Sequence, residues 1–400
     1  MFPRLTLDIG WRDLAFALAT RGDEGAVRSI AAMAPAGRTA VTALSVRTAL
    51  DAFLAELALP AGDEVLMSAV NIETMAEVVR AHGLVPVSVD IELATLAPSP
   101  ETVEAAVTPR TRLFLLAHLY GARVETSGLA EVCRRRGLMF VEDLAQAYDG
   151  RLTASDGADA SLYSFGPIKT ATALGGAVAL FADPDLARRV RARLDACPEP
   201  AAGWWRKRAL KHAVLKALSL PPLYGLARLA IAAAGRDPEA VIGAAARGFR
   251  SGDLLPQLRR RPPKAMLALL ARRLARGAAP LERTARARRV LWRLPPRIPV
   301  PGRDLASHAW WLAPVLPRHP DLFAQRLRDA GFDATRGATS LRALPGAPNA
   351  AHLIDMVVYL PLSPFLSQVD EARLADLTVA AFDDDARSSF ITAPAEALST

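Results

Sequence analysis

Short apolar runs alternate with amphipathic stretches between Glu64 and about Ala192. Six runs predict strands: EVLMSA (64–69), VPVSVD (85–90), RLFLLAH (112–118), LMFVED (138–143), ASLYSF and GAVALF. A continuous apolar run such as RLFLLAH is typical of a strand that is buried on both faces. Three intervening segments predict helices, 73–82, 100–107 and 127–136, and another helix starts at Asp185. Ser127 is the expected N-cap of its helix. Strands and helices that alternate over short links predict an α/β unit with a mostly parallel sheet.

The pattern changes after residue 200. Residues 200–290 are rich in Ala, Leu and Arg and predict helices, interrupted at LPPLYG and RRRPPK. From Pro296 the pattern changes again: SHAWWLAPVLP predicts a strand, and HPDLFAQRLRDAGF predicts a helix that ends at Gly331. A last helix is predicted from Gln368 to Ala381, with a frayed tail after Asp383. This C-terminal part is expected to form a small α+β domain.

Composition narrows the class of protein. The chain has 400 residues, of which 51% are apolar, so a large buried core is expected. Its two cysteines support neither a disulfide framework nor a Cys-based metal site, and no metal is predicted. The N-terminus does not resemble a signal peptide, and no run of about 18 apolar residues predicts a spanning helix. These features favour a cytoplasmic protein.

The net charge of +8 is unevenly distributed. Residues 203–290 contain 20 Lys or Arg against 4 Asp or Glu, whereas the rest of the chain has 29 against 37. Such a basic segment suits nucleic acid, anionic lipid or a phosphorylated substrate, or it is a solvated Arg-rich helical surface. No aromatic stacking platform and no known DNA-binding motif accompany the charge, so no nucleic-acid partner is predicted.

Candidate chemistry lies at two strand ends. Asp143 closes LMFVED, and Lys169 follows SLYSF by a short turn, where open α/β sheets bind their ligands. A lysine in an apolar site shifts toward its neutral, nucleophilic amine. A Schiff-base lysine with an acidic partner for the ring nitrogen is the signature of pyridoxal phosphate. On these two residues alone, a structural ion pair is the favoured explanation.

Hydroxyl side chains supply a candidate phosphate site. Ser45 and Thr48 precede or open a predicted helix in LSVRTALDAFLAEL (44–57), and Ser164 lies five residues before Lys169. Helix N-termini with hydroxyls bind phosphate. Simple helix capping is the alternative role for Ser45 and Thr48.

The motifs together resemble the DegT/DnrJ/EryC1/StrS aminotransferase family. LPAGDEVLMSA, GLMFVEDLAQAYDG, SFGPIKTATALGGAV and YLPLSPFLSQVDEARL are similar to family segments in the same order. The resemblance implies a pyridoxal-phosphate enzyme of fold type I. It implies a three-layer α/β/α large domain with a mostly parallel sheet and a small α+β C-terminal domain. We expect the large domain at 1–255, including a basic helical insert at about 200–262 (the insert), and the small domain at 263–400.

The resemblance also implies a role for each matched residue. Lys169 would carry the cofactor as a Schiff base and move protons, and Asp143 would pair with the pyridine nitrogen. Gln146 would hydrogen-bond the phenolic oxygen. Ser164, Thr48 and the backbone at Arg47 would hold the phosphate.

Three departures from the family pattern stand out. Asn71 and Ile72 occupy the place of an aromatic residue that usually stacks on the cofactor, so they are expected to cover its ring. The partner-subunit motif G-x-N-x-R-M has no clear copy, although RRPPKAMLALLARRL lies near its place. The insert is longer and more basic than is usual, and 203–235 could contact a membrane or a lipid-linked substrate, or serve as a lid or dimer-packing helix pair.

The expected function is a pyridoxal-phosphate aminotransferase (a transaminase). It would move an amino group, from glutamate, to a keto-sugar or similar acceptor in cell-surface polysaccharide, glycolipid or secondary-metabolite biosynthesis. The substrate is expected to be a nucleotide-linked or lipid-linked sugar, and the enzyme a cytoplasmic homodimer, peripheral to the inner membrane face if 203–235 binds lipid. The alternatives are a non-catalytic regulatory protein that binds the cofactor, and an enzyme for a lipid-linked substrate. Sugar dehydratases of the family have histidine in place of the lysine, so Lys169 argues against that reaction.

Overall fold

The computed structural model describes residues 1–4, 6–246, 254–277 and 281–391. The strands within these ranges are β1 (Thr39–Ala43), β2 (Glu64–Ser68), β3 (Val70–Ile72), β4 (Val85–Val89), β5 (Thr111–Ala117), β6 (Ala122–Arg123), β7 (Met139–Asp143), β8 (Ala160–Ser164), β9 (Ala177–Phe181), β10 (Ser307–His308), β11 (Pro314–Val315), β12 (Leu341–Ala343) and β13 (Val358–Tyr359).

The helices within the same ranges are α1 (Trp11–Ala19), α2 (Gly25–Ala31), α3 (Val46–Leu57), α4 (Glu73–Ala81), α5 (Pro100–Ala106), α6 (Ser127–Arg136), α7 (Pro184–Asp195), α8 (Trp204–Leu218), α9 (Pro221–Ala233), α10 (Pro238–Ala246), α11 (Leu254–Leu258), α12 (Lys264–Ala275), α13 (Leu281–Leu291), α14 (Pro320–Asp329), α15 (Pro348–Met356) and α16 (Gln368–Ile391).

A seven-stranded sheet in the order β1-β9-β8-β7-β5-β2-β4 forms the centre of the molecule. The pairs β2–β4, β2–β5, β5–β7 and β7–β8 are parallel, whereas β9 runs antiparallel to both β8 and β1. The predicted mostly parallel α/β sheet is therefore confirmed. Its parallel strands β7 and β8 lie side by side, which brings the segments that follow Asp143 and Ser164 to one edge of the sheet.

Side chains on the two sheet faces enter different hydrophobic clusters. On β5, Leu113 and Leu115 pack with α3, α4 and α7, whereas Phe114 and Leu116 pack with α5 and α6. On β8 and β9, Tyr163 and Leu180 pack with α1, α2, α8 and α12. Every second residue of a strand thus faces the opposite layer, and the sheet is buried between two helical layers.

Helix α6 differs from its predicted start. Ser127 is the first helical residue, and Thr126 is the N-cap, with no side-chain capping bond. Glu125 takes over the capping instead, because its Oε1 accepts the N–H groups of Thr126 (2.9 Å) and Ser127 (2.8 Å). The predicted Ser127 N-cap is wrong because a neighbouring carboxylate satisfies the free N–H groups.

The C-terminal part has its own hydrophobic cluster, built from α13, α14, β11, β13 and α16. The strand predicted for SHAWWLAPVLP is wrong over most of its length, since only β10 and β11 pair. Trp310 has φ of 45°, in the left-handed region, and interrupts the extended run. Helix α16 continues to Ile391, past the fraying predicted after Asp383, and residues 392–400 of that tail lie outside the described residues.

The insert contributes α8 to α11, and α12 follows it. Helix α12 lies beyond the predicted boundary at residue 263, yet it packs on α1 and α2 within the cluster of the central sheet. The N-terminus contacts the C-terminal part, because Phe2 stacks on Phe332 with 5.4 Å between ring centroids. The division at 255 and 263 stays a prediction.

No single helix among the described residues has the length and apolar composition to cross a bilayer. Helices α8 and α9 together have that length and composition, but they are bent by 98° at their junction.

Candidate active site

Lys169 lies in a cleft of about 670 Å³ between the central sheet, the insert and the C-terminal part. The cleft is lined by Ser45 and Arg47 from the start of α3, by Ser164 and Lys169 after β8, and by Trp311. The Nζ atom of Lys169 lies 4.0 Å from the centroid of the Trp311 ring. The segment 337–342 of the C-terminal part closes another side of the cleft.

Three distant segments hold the turn that carries Lys169. Trp311 Nε1 donates to the carbonyl of Ile168 (2.8 Å), and Arg283 of α13 donates to Thr170 Oγ1 (2.8 Å). The carboxylate of Asp8 accepts the N–H of Ala171 (2.8 Å), which has a left-handed φ of 51°. A non-glycine residue in this region is strained, and such strain persists where surrounding contacts fix the backbone. The direction of the lysine side chain is therefore set by contacts from both ends of the protein.

The amine of Lys169 is poised to lose its proton. Burial lowers the pKa of Lys169 to about 8; the carboxylate of Asp143 opposes this shift and the charge of Arg47 adds to it. Burial also raises the pKa of Asp143, against the N–H of Ala145 and the charges of Lys169 and Arg47. Because desolvation outweighs the attraction between the two groups, both shift toward their neutral forms. A neutral amine is the nucleophilic form of lysine.

A hydrogen-bonded carboxylate supports the strand that ends at Asp143. Glu142, fully buried, accepts the His118 Nε2–H (3.2 Å) and the hydroxyls of Ser155 (2.6 Å) and Ser161 (2.8 Å). His118 Nδ1 accepts the N–H of Val124 (3.2 Å), which leaves Nε2 as the donor of a neutral imidazole. Burial would raise the pKa of Glu142, but the bonds from His118 and Ser155 outweigh it and lower that pKa to about 2. The end of β7 is thereby fixed.

Several predicted residues meet in the cleft. Gln146 lines it and accepts the N–H of Tyr120 (2.9 Å), while Ser164 accepts a long bond from the N–H of Gly166 (3.4 Å). Arg47 donates to Thr74 Oγ1 (3.1 Å), and burial lowers its pKa to about 10, opposed by Asp143 and Glu77. Asp143 is 8% exposed and is not one of the residues that line the cleft. It interacts electrostatically with Lys169 and Arg47.

Three other predicted residues have different surroundings. Thr48 is buried; its hydroxyl donates to the carbonyl of Leu258 (3.1 Å), and its N–H bonds the Ser45 hydroxyl as in a helix cap. Ile72 lines the cleft, but Asn71 does not. The Asn71 Oδ1 accepts the N–H of Ile72 (2.9 Å), and its buried Nδ2 finds no hydrogen-bond partner among the described residues. The roles of Thr48 and Asn71 stay predictions.

Trp311 and Arg208 are among the cleft residues that the sequence analysis missed. Trp311 lies in the stretch that was predicted to be a strand. The sequence pattern did not indicate the left-handed backbone conformation of its neighbour Trp310. Arg208 of α8 also lines the cleft, although it stands in a run of basic residues that reads as a solvated face. A weak signal did exist for Trp311, since the sequence has few aromatic residues and two of them are adjacent here.

Part of the chain is similar in sequence to known proteins. Residues 29–207 match the DegT/DnrJ/EryC1/StrS aminotransferase family. An L-glutamine:2-deoxy-scyllo-inosose aminotransferase of Streptomyces kanamyceticus is 39% identical over 134 residues, which is 32% of this chain and 31% of the relative. A dTDP-4-dehydro-2,6-dideoxy-D-glucose 3-dehydratase of Saccharopolyspora spinosa is 38% identical over 146 residues, 36% of this chain and 31% of that protein. The matched part thus spans about a third of these curated relatives.

The fold extends over nearly the whole chain. The crystal structure of the aminotransferase TlmJ from Streptoalloteichus hindustanus superposes with a TM-score of 0.69 and 21% identity, and covers 96% of this chain and 99% of that one. This likeness confirms the predicted fold, including the small C-terminal part. Residues 29–207, less than half of the chain but including Asp143 and Lys169, are similar to the DegT/DnrJ/EryC1/StrS aminotransferase family.

Proposed function

We propose that the protein is a pyridoxal-phosphate aminotransferase that transfers an amino group to a keto group on a sugar-like acceptor. The observation that carries the proposal is the buried amine of Lys169, which lies in a large cleft with a pKa of about 8. The family match over 29–207 and the aminotransferase name of a relative support the reaction class. The histidine that dehydratases of the family have in place of the lysine is absent from position 169.

The residues of the cleft suit the cofactor. A lysine amine with a lowered pKa can bond the cofactor's aldehyde carbon, and a buried carboxylate beside it can face the ring nitrogen. Ser164 and the first N–H groups of α3, at Val46 and Arg47, are suited to a phosphate. When bound, pyridoxal phosphate supplies an electron-withdrawing ring that stabilises negative charge on the substrate carbon.

The side chains have distinct tasks in the proposed reaction. The amine of Lys169, once released by the amino donor, would take a proton from the donor's α-carbon and pass it to the C4′ carbon of the cofactor. In the second half-reaction it would move a proton in the opposite direction, from C4′ to the acceptor carbon. A pKa near 8 keeps a usable fraction of this amine neutral at neutral pH. Asp143 supplies a fixed negative charge for the ring nitrogen, and Gln146 a hydrogen bond at the cleft wall. Trp311, only 6% exposed, covers Lys169 and keeps water from it.

The finer identity of the substrates is part of the proposal. We propose glutamate or glutamine as amino donor, the latter because a relative is named for L-glutamine. Arg47, Arg208 and Arg342 bring positive charge to the cleft, which suits an anionic acceptor such as a nucleotide-linked or lipid-linked keto-sugar. Such a product would serve cell-surface polysaccharide, glycolipid or secondary-metabolite biosynthesis.

The cellular setting is proposed as a cytoplasmic homodimer with membrane contact through 203–235. Supporting the contact, α8 and α9 expose six large apolar side chains: Leu210 (58%), Val214 (51%), Leu218 (41%), Leu223 (42%), Leu226 (62%) and Leu229 (69%). Exposed cations at Arg206, Lys207 and Lys211 flank those of α8 and would suit an anionic lipid surface. The same apolar face would also suit a second copy of the chain.

Borohydride trapping and donor titration test the proposal. Protein loaded with pyridoxal phosphate is expected to be yellow, and borohydride should fix the cofactor on the peptide containing Lys169, as read by mass spectrometry. Glutamate or glutamine should bleach the unreduced colour, and a keto-sugar should restore it. Lys169→Ala should lose trapping, while Lys207→Ala, at an exposed position, should behave as the wild type. Trapping at another lysine would contradict the proposed site.

The non-catalytic alternative is separated by the same experiment. A regulatory protein would bind the cofactor at Lys169 but would not be bleached by any amino donor. Its support in the sequence was the missing aromatic residue at 71–72 and the unusual basic segment. Trp311 now provides an aromatic ring beside Lys169. The catalytic role is therefore the one we propose.

A further inference from the structure

Arg208 is set apart from the other basic residues of α8. Arg206, Lys207 and Lys211 are exposed, whereas Arg208 turns inward and lines the cleft. Its Nε donates to the carbonyl of Leu174, and its guanidinium lies 5.1 Å from the Trp204 ring centroid. These two contacts hold the guanidinium in place.

The charge of Arg208 lacks a carboxylate partner among the residues described. Burial lowers its pKa to about 10, and burial is the one cause of that shift. Within the described ranges Arg208 forms no ion pair, whereas Arg4 is paired with Asp333 and Glu239. A desolvated cation is costly unless an anion compensates it. An anionic ligand is the natural counter-charge in an open cleft.

Groups that favour an anion surround the guanidinium. A Cβ at Gly175 would lie 3.6 Å from Arg208 Nε and 3.9 Å from its Nη2, so Arg208 covers the Gly175–Gly176 turn. The N–H of Gly176 donates to the carbonyl of Leu44 (3.0 Å), which places this turn beside Ser45 at the start of α3. The hydroxyls of Ser45 and Ser164 line the same cleft. A cation, hydroxyls and a helix N-terminus thus converge at one end.

We propose that Arg208 binds the phosphate group of the cofactor, so that the insert completes the cofactor site from within the same chain. This inference rests on the proposed function, because it assumes the cofactor is attached to Lys169. The Nη groups of Arg208 would donate to phosphate oxygens while Nε stays bonded to Leu174. The insert is then part of the binding site, and a cation from a second subunit is not required at this end.

Binding of two cofactor forms tests the proposal. Cofactor-free protein is titrated with pyridoxal phosphate and with pyridoxal, which has the same aldehyde and ring but no phosphate, and attachment is followed by absorbance. Arg208→Gln should weaken the binding of pyridoxal phosphate about ten- to hundredfold, as expected for the loss of a charge-assisted hydrogen bond. The affinity for pyridoxal should stay unchanged. Arg206→Gln, two residues away and exposed, is the matched control and should change neither affinity.

A conservative variant and a chemical probe distinguish loss of the phosphate contact from misfolding of the variant. Arg208→Lys keeps the charge and should retain part of the phosphate preference. In the wild type, inorganic phosphate should protect Arg208, and not Arg206, from phenylglyoxal, as mapped by mass spectrometry. Equal affinity of Arg208→Gln and wild type for pyridoxal phosphate would overturn the inference, and so would unprotected Arg208.

Other outcomes point to different errors. If Arg208→Gln changes only the KM for the acceptor, the counter-charge belongs to the substrate and the inference is wrong. If the wild type attaches neither pyridoxal phosphate nor pyridoxal at Lys169, the proposed function itself fails. If attachment occurs at Lys169 without phosphate discrimination, only the role of Arg208 fails.

Discussion

Removal of the Asp143 charge should change the reactivity of Lys169 and the proposed turnover in opposite directions. The amine has a pKa of about 8, compared with about 10.4 for an exposed lysine. At pH 7 about a tenth of the amine is neutral, roughly 200-fold more than for an exposed lysine. The shift corresponds to a cost of about 3 kcal/mol for the charged amine, because each pKa unit is about 1.4 kcal/mol.

The carboxylate of Asp143 opposes this shift, since its charge raises the pKa of Lys169. In Asp143→Asn the pKa of Lys169 should therefore fall further, by roughly one unit for the loss of a nearby opposite charge. The neutral fraction at pH 7 would rise from about a tenth to about a half. The variant should react with aldehydes about fivefold faster at pH 7, while aminotransferase turnover should fall at least about a hundredfold because the ring nitrogen loses its partner.

Reductive methylation of the cofactor-free protein provides the assay. The rate at Lys169 is measured by mass spectrometry from pH 6 to 10, with the exposed Lys207 and Lys211 as references in the same sample. The wild-type rate should level off above pH 8, and the Asp143→Asn rate should level off at lower pH. A Lys169 profile that follows the exposed lysines would refute the desolvated site. A midpoint that rises in Asp143→Asn would refute the electrostatic link between the two residues.

Three further changes test other parts of the site. Trp311→Ala should uncover Lys169 and weaken cofactor binding about tenfold, whereas Trp311→Phe should keep most of it, as measured by absorbance titration. Glu142→Gln should lower the free energy of unfolding by about 3 kcal/mol, measured in urea, because a buried acceptor of several donors is lost; Glu131→Gln, on an exposed helix face, is the control and should cost little. Leu226→Glu should abolish flotation of the protein with anionic liposomes if α9 contacts lipid, and wild-type protein that never floats at low salt would contradict that contact.

The central sheet could be predicted from sequence because its signals are local. Buried parallel strands such as RLFLLAH are continuously apolar, and the structure has β5 at Thr111–Ala117. Asp143 stood out because it ends one strand, and Lys169 because it follows the next strand in the chain; neighbouring parallel strands bring their ends to the same edge of the sheet. The reasoning needed only the order of strands and the chemistry of the two side chains.

The rest of the cleft could not be predicted because it depends on distant contacts. Trp311 reaches Lys169 across 142 positions only because Trp310 adopts a left-handed backbone that no alternating pattern signals. Arg208 stands among Arg206 and Lys207, and helical spacing alone does not tell which member of a basic run faces inward. The sequence supplied the chemistry of the site, but the tertiary structure decides which of its many cations reach the ligand.

A buried ionic cluster attaches the insert to the rest of the protein, although the basic composition of the insert is also typical of a solvated surface. Asp333 of the C-terminal part accepts Arg4 Nε (2.6 Å) and the Tyr224 hydroxyl, and it pairs with Arg228 (3.1 Å). Burial opposes the charge of Arg4, but the bond and charge of Asp333 raise its pKa. Breaking one member would leave a buried charge uncompensated, so the N-terminus, α9 and the C-terminal part are held together. The basic insert is therefore bound to the structure around the cleft, and any opening of the C-terminal part must either carry α9 with it or break this cluster.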